Sequence, residues 1–241
     1  MYYLPKEEQL INLQINANRS EMMEEREFLQ AFMEYRCGIY YWLKNLYISE
    51  PTKEQLIEII NTCREQKIDS TIPTCESEFV NFFKKVDKRS INKLHKEIKV
   101  EYARLFLGPK HVPAPPFESV YRTKTRHMFG ETTTEVKELY KNAGLRIEAK
   151  DNLPDDFIGY ELEFMYYLSF EALRALNEGN EERLDKVIKY QYYFIKEHLN
   201  TWIKDFIKDI LENTAMDYFK VVANLTSEFI EDDYNNIENL I

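Results

Sequence analysis

From Ser20 to Tyr47 the apolar residues Met22, Leu29, Phe32, Met33, Ile39, Tyr40, Leu43 and Leu46 recur three or four positions apart, the spacing that lays one buried stripe along a helix. The period returns after Pro51, which can occupy the first turn of a second helix whose stripe of Leu56, Ile59, Ile60 and Cys63 runs to about Lys67. A shorter third segment after Pro73 carries Phe79, Phe82, Phe83 and Val86. Ser90 is placed to cap a fourth helix, striped by Ile91, Leu94, Ile98, Tyr102, Leu105 and Phe106. Gly108-Pro109 should end it, with the glycine in a left-handed cap and the proline unable to continue.

Beyond a proline-rich stretch, Thr132-x-x-Glu135 reads as a capping box opening a short helix that Gly144 ends. Pro154 opens a long helix with Asp155 and Asp156 in its first turn, where carboxylates favour the positive end of the helix dipole. Its stripe runs Phe157, Ile158, Leu162, Met165, Leu168, Leu173 and Leu176 before Glu178-Gly179-Asn180 turns the chain. Glu181 to Asn213 is again periodic, with a break expected near Asn200, and a last helix spans about Ala215 to Glu231. After Lys220 no basic residue follows, so the end reads as a solvated acidic tail.

Leu, Glu, Lys, Ile and Phe recur at helical spacing, and 6 Gly and 8 Pro are too few for a turn-rich β architecture. The expectation is an all-α fold: a single domain of about eight to ten helices over residues 1–241, with a proline-rich loop or hinge at about 108–131.

At 44% hydrophobic and 14% aromatic residues the chain holds enough apolar material to fold. A net charge of −10 argues against a nucleic-acid partner and suits a cationic peptide better. The start, M-Y-Y-L-P-K-E-E-Q-L, lacks the pattern of a secretion signal, and no stretch is apolar enough to enter a bilayer, which points to the cytoplasm. Cys37, Cys63 and Cys75 share no CxxC spacing and read as buried free thiols.

Candidate chemistry is sparse. His95, His111, His127 and His198 lie in no metal-binding pattern, and no GxGxxG, P-loop or GxSxG sequence occurs, so neither metal, cofactor nor nucleotide is expected. A helical metal-dependent enzyme using His111, His127 and the acids near Asp155 is the lesser alternative. Two features carry more. From Asp151 to Leu173 the acids Asp151, Asp155, Asp156, Glu161, Glu163 and Glu171 occur without one Lys or Arg, a negative field that either aids solubility or favours a ligand bearing Arg or Lys. Pro113, Pro115 and Pro116 stiffen a loop that either packs over the core or presents Phe117 and Tyr121 to a partner.

Four successive stretches, E-Y-A-R-L-F-L-G-P, A-P-P-F-E-S-V-Y, G-E-T-T-T-E-V-K-E-L-Y-K-N-A-G-L and L-P-D-D-F-I-G-Y-E-L-E-F-M, resemble in order and spacing the motifs of the TorD/DmsD/NarJ-type maturation chaperones for molybdenum oxidoreductases. The resemblance is close over Glu101 to Leu173. It implies an all-helical, non-catalytic, cytoplasmic chaperone, monomeric or exchanging helices into a dimer, with no cofactor of its own. Its partner would be the precursor or apo-form of a molybdopterin oxidoreductase, held through its twin-arginine leader until cofactor insertion; a non-exported reductase is the alternative client. Carried over by position, the leader-binding surface would comprise Tyr102, Leu105, Phe106, Pro116, Phe117, Tyr121, Pro154, Asp155, Asp156 and Phe157. Phe157 departs from the pattern, since many members have histidine after the aspartates.

Overall fold

In the computed structural model every regular element among the described residues is helical. The structure describes residues 6–68, 72–108, 112–124, 126–148 and 153–241, with side chains from residue 26 onward. Pro109, His111 and Asp151 therefore lie outside the described residues, as does the side chain of Met22.

The first helix, α1 (Lys6–Tyr47), starts well before the expected Ser20. It buries Met33, Tyr40, Leu43 and Leu46 and lies along α7 (Ile158–Glu178), the most extensive helix pairing among the described residues. Helix α2 (Lys53–Glu65) begins one residue after Thr52, whose hydroxyl accepts from Gln55 N while the Gln55 side chain accepts from Thr52 N. Pro51 thus precedes the helix instead of starting it.

Helix α3 (Thr74–Lys85) buries Phe79, Val80 and Phe83. Ser90 does not cap α4 (Ile91–Tyr102); its hydroxyl donates to Asp87 O, and Asp87 itself caps the intervening 3₁₀ turn by accepting from Arg89 N. At its end α4 widens into a π turn, Ala103–Leu107, and the consecutive residues Leu105 and Phe106 both reach the core. Gly108 follows at φ −39°, ψ 148°, an extended exit in place of the expected left-handed cap.

Helix α5 (Glu118–Arg122) is short, and α6 (Glu131–Asn142) is preceded by Gly130 without any side-chain cap. The expected capping box at Thr132 does not form because Thr132 and Thr133 already lie inside the helix and are buried. Gly144, at φ +78°, leaves α6 in the left-handed region, and Gly179, at φ +67°, does the same for α7. Asn180 then caps α8 (Glu181–Phe194) through Arg183 N. A second π turn, Ile195–Leu199, carries α8 into α9 (Asn200–Asn213) with no gap, so the break expected near Asn200 is a widening, and it turns His198 and Leu199 inward.

The last helix, α10 (Asp217–Glu238), runs past Glu231. Phe229, Ile230, Asp233 and Ile237 are buried along it, so the acidic end is not a solvated tail. One apolar cluster links these elements, with Tyr47, Phe106, Phe206 and Phe219 at ring separations of 5.8–6.3 Å near its centre. Of the three free thiols only Cys63 is buried; Cys37 and Cys75 are half-buried, and burial pushes Cys37 and Cys63 up to about 11. Among the described residues no helix is long and apolar enough to cross a membrane.

Candidate functional site

Proline residues cannot donate to a backbone ladder, so the Pro113–Pro116 stretch must be held by its neighbours' groups. Ala114 N donates to Leu105 O, a carbonyl in the last turn of the α4 extension. Further on, Phe117 and Phe157 form an antiparallel bridge, the one β contact among the described residues, in which Ile158 N donates to Pro116 O and Glu118 N to Asp156 O. Their rings lie 5.8 Å apart. The two regions singled out by the sequence, the proline elbow and the start of α7, therefore meet.

They meet by burying themselves. Asp155 and Asp156 form a turn ahead of α7 and are not its first helical turn. The Asp156 carboxylate accepts from Ser119 N at 2.7 Å and from Thr133 Oγ1 at 2.9 Å, tying α5 and α6 to the head of α7. Tyr102, Leu105, Phe106, Pro116, Phe117, Pro154, Asp156 and Phe157 are all buried, whereas Tyr121 and Asp155 are half-buried. Tyr102 donates to Tyr47 O, and Tyr121 stacks on Trp202 and donates to Asp209. Phe157 sits edge-on to Tyr160 at 5.1 Å and is enclosed. As arranged here these side chains pack as a frame, eight of the ten buried and two half-buried.

Several acids of the negative field have cations beside them in space. Glu163 pairs with Lys44 of α1 at 2.9 Å, Glu171 with Arg174 and Arg183, and Asp155 stands 3.8 Å from Lys137 of α6. Arg174 shares α7 with Glu171, while Lys44, Lys137 and Arg183 come from other helices. Glu161 instead faces inward, where its Oε2 accepts from Trp202 Nε1 at 3.2 Å. Burial, then the charges of Glu118 and Asp156, push its carboxyl well above the ordinary 4.5. Glu118 is fully buried as well, but it accepts from Arg122 Nη1 at 2.8 Å and from His198 Nδ1 at 3.0 Å. Among the described residues no group of three His, Cys, Asp or Glu side chains could hold a metal ion, and His127 is exposed.

What the sequence reading missed is an open cleft of about 750 Å³ along the outer side of α7. Tyr160, Phe164, Tyr167 and Phe170 line it from α7, Tyr140 from α6, Leu145 and Ile147 from the chain after α6, and Ile48 from the end of α1. Its edge carries Glu163, Glu148 and Arg146. The elbow sets its walls, because Phe157 braces Tyr160 and Asp155 O accepts from Tyr140 at 3.1 Å. A signal existed: Tyr160, Phe164, Tyr167 and Phe170 repeat at helical spacing beside the core stripe, making α7 apolar around most of its circumference.

The family described as nitrate reductase delta subunit matches residues 65–208, more than half of the chain. The chain belongs to the nitrate reductase delta subunit family. Two relatives are named chaperone protein TorD: one from Vibrio cholerae, 25% identical with 91% of this chain and 98% of that protein covered, and one from Aliivibrio salmonicida, 26% identical with 85% and 95% covered. A solved structure described as a redox enzyme maturation protein, from Archaeoglobus fulgidus, aligns with 88% of this chain and 93% of its own at 21% identity and a TM-score of 0.42. With relatives named as chaperones, this member of the nitrate reductase delta subunit family is a chaperone of the TorD-like kind and not an enzyme.

Proposed function

We propose that the chain is a cytoplasmic maturation chaperone for a molybdopterin oxidoreductase, and that it takes the apolar stretch of the client's twin-arginine leader into the aromatic cleft along α7. The observation that carries this reading is the cleft itself: an open groove of about 750 Å³ with tyrosine and phenylalanine walls, braced from behind by the buried elbow. Aromatic grooves take amphipathic or apolar helices by side-chain insertion, and a wall fixed in advance loses little freedom on binding. The leader's arginines would compete with Lys44 and Arg146 for the exposed side chains of Glu163 and Glu148 at the edge, where a guanidinium can engage a carboxylate through two hydrogen bonds. In this reading Asp156 and Phe117 act indirectly, by holding the cleft's shape.

Titration calorimetry with a synthetic twin-arginine leader tests this. Micromolar or tighter binding is expected, weakened when the arginine pair becomes glutamine and weakened again by Tyr167→Ala with Phe170→Ala. Unchanged affinity in the double variant removes the cleft from the mechanism; unchanged affinity of the arginine-less leader removes its acidic edge.

The family's description as nitrate reductase delta subunit favours one second reading, in which the client is a non-exported reductase recognised on its mature surface. A pull-down with a leader-deleted client separates the two, since only this second reading retains capture.

A further inference from the structure

Charge is divided unevenly over the chain. Lys84 to Lys99 holds seven Lys and Arg against two acids, a net +5 in a protein of −10, so the remainder carries −15. Ile91, Ile98 and Tyr102 turn the inner side of α4 to the core. Its outer side therefore presents Arg89, Lys93 and Lys96, with Lys99 beside them, and all four are exposed. The stripe continues into two apolar side chains, Val100 at 70% exposure and Leu107 at 56%.

Few acids answer these cations. Lys93 stands 3.8 Å from Glu97 and Lys99 pairs with Glu50 at 2.8 Å, while the nearby Asp87 carboxylate accepts from Arg89 N and Glu101 pairs with Arg104. Like charges three and four apart on a helix repel one another. The face is thus held positive at some cost to the helix, in a protein with acids to spare elsewhere.

We propose that the outer face of α4 docks the protein reversibly on an anionic phospholipid surface. Lysine predominates in it, and lysine, strongly hydrated and depleted from the cores of protein interfaces, suits a charged plane better than a desolvated protein contact. The negative remainder of the molecule does not prevent this, because screening confines the attraction to about 8 Å at physiological salt and only the facing patch is felt. It also sets the orientation, with α4 toward the lipid. Val100 and Leu107 add shallow apolar contacts at the headgroup level.

Vesicle co-sedimentation of the full chain is the test, with phosphatidylcholine alone against phosphatidylcholine mixed with phosphatidylglycerol. Binding is expected to the mixed vesicles only and to fall steeply with added salt. Lys93→Glu with Lys96→Glu should weaken it roughly tenfold or more, given what each cation contributes near an anionic surface. Lys186→Glu with Lys189→Glu on α8 changes net charge equally and should leave it within about twofold. Far-ultraviolet circular dichroism confirms that both variants are folded. No binding to the mixed vesicles, or equal losses in the two variants, overturns the proposal. So does tighter capture by immobilised polyglutamate, lost in the α4 variant, which would make the partner an acidic protein.

Discussion

Arg36 and Asp233, 197 positions apart, close the molecule with a forked ion pair in its interior: Nε donates to Oδ1 at 2.5 Å and Nη2 to Oδ2 at 2.9 Å. Tyr40 adds a third donor to Oδ2 at 2.6 Å, and Phe32 and Tyr40 place their rings within 5.6 and 5.9 Å of the guanidinium. The pair fastens α1 to the end of α10. Removing one partner leaves the other charged, buried and unanswered, at a cost of about 3–5 kcal/mol. Arg36→Met and Asp233→Asn should each lower the urea midpoint strongly, whereas replacing both by apolar residues should recover much of the loss. A single substitution costing under about 1 kcal/mol would show that α10's end carries little of the stability.

Glu161 gives the fold a defined response to pH. Its folded-state pKa is raised above the ordinary 4.5 by burial and by Glu118 and Asp156, so the stability it permits is full below that value and is lost as pH rises through the folded pKa. Glu161→Gln keeps an acceptor for Trp202 Nε1 and cannot ionise. Melting temperatures measured upward from pH 4.5 should therefore show the variant gaining on the wild type as pH increases. Parallel curves would mean that the carboxyl is not being held protonated.

The stripes were legible because a helix face packed on a core repeats with the helix period wherever it lies. Met33, Tyr40, Leu56, Ile98 and Phe206 are buried as their spacing requires. Caps were less legible, since a hydroxyl is spent on whichever group the tertiary fold brings to it. Thr52 caps α2 through Gln55, while Thr133 donates to Asp156 from within α6. The acidic run misled for the same reason: neutralising partners such as Lys44 and Arg183 are distant in sequence and close in space. The elbow and the head of α7 do come together, but the cleft beside them draws on four separate segments and has no short motif of its own.

Glycine at 159 is required by the approach of α7 to the end of α1. A Cβ there would lie 2.6 Å from the Phe157 ring and 2.8 Å from Ile48 Cα, and the second is backbone that cannot swing aside. Gly159→Ala should cost about 1–3 kcal/mol by forcing the helices apart. Gly38, inside α1, has nothing within 4 Å of the same position. Gly38→Ala should raise stability by about 0.5–1 kcal/mol through helix propensity alone. Thermal denaturation of the two variants side by side checks both signs; a neutral Gly159→Ala would mean that the contact is looser than its geometry.

Asp156→Asn separates a frame from a contact surface. The carboxylate uses one oxygen for Ser119 N and the other for Thr133 Oγ1; an amide oxygen can keep the first, but its NH₂ then faces Thr133 Oγ1, which must turn from donor to acceptor and leave its own buried proton without this partner. A buried mismatch of this kind costs about 1–3 kcal/mol. If Asp156 is a frame residue, the variant should lose stability by that amount yet bind a twin-arginine leader within a few-fold of wild type at a temperature where both are folded. Should leader affinity collapse while the melting temperature holds, Asp156 must reach the peptide directly. The elbow would then have to open on binding, exposing the Phe117–Phe157 bridge that now encloses it.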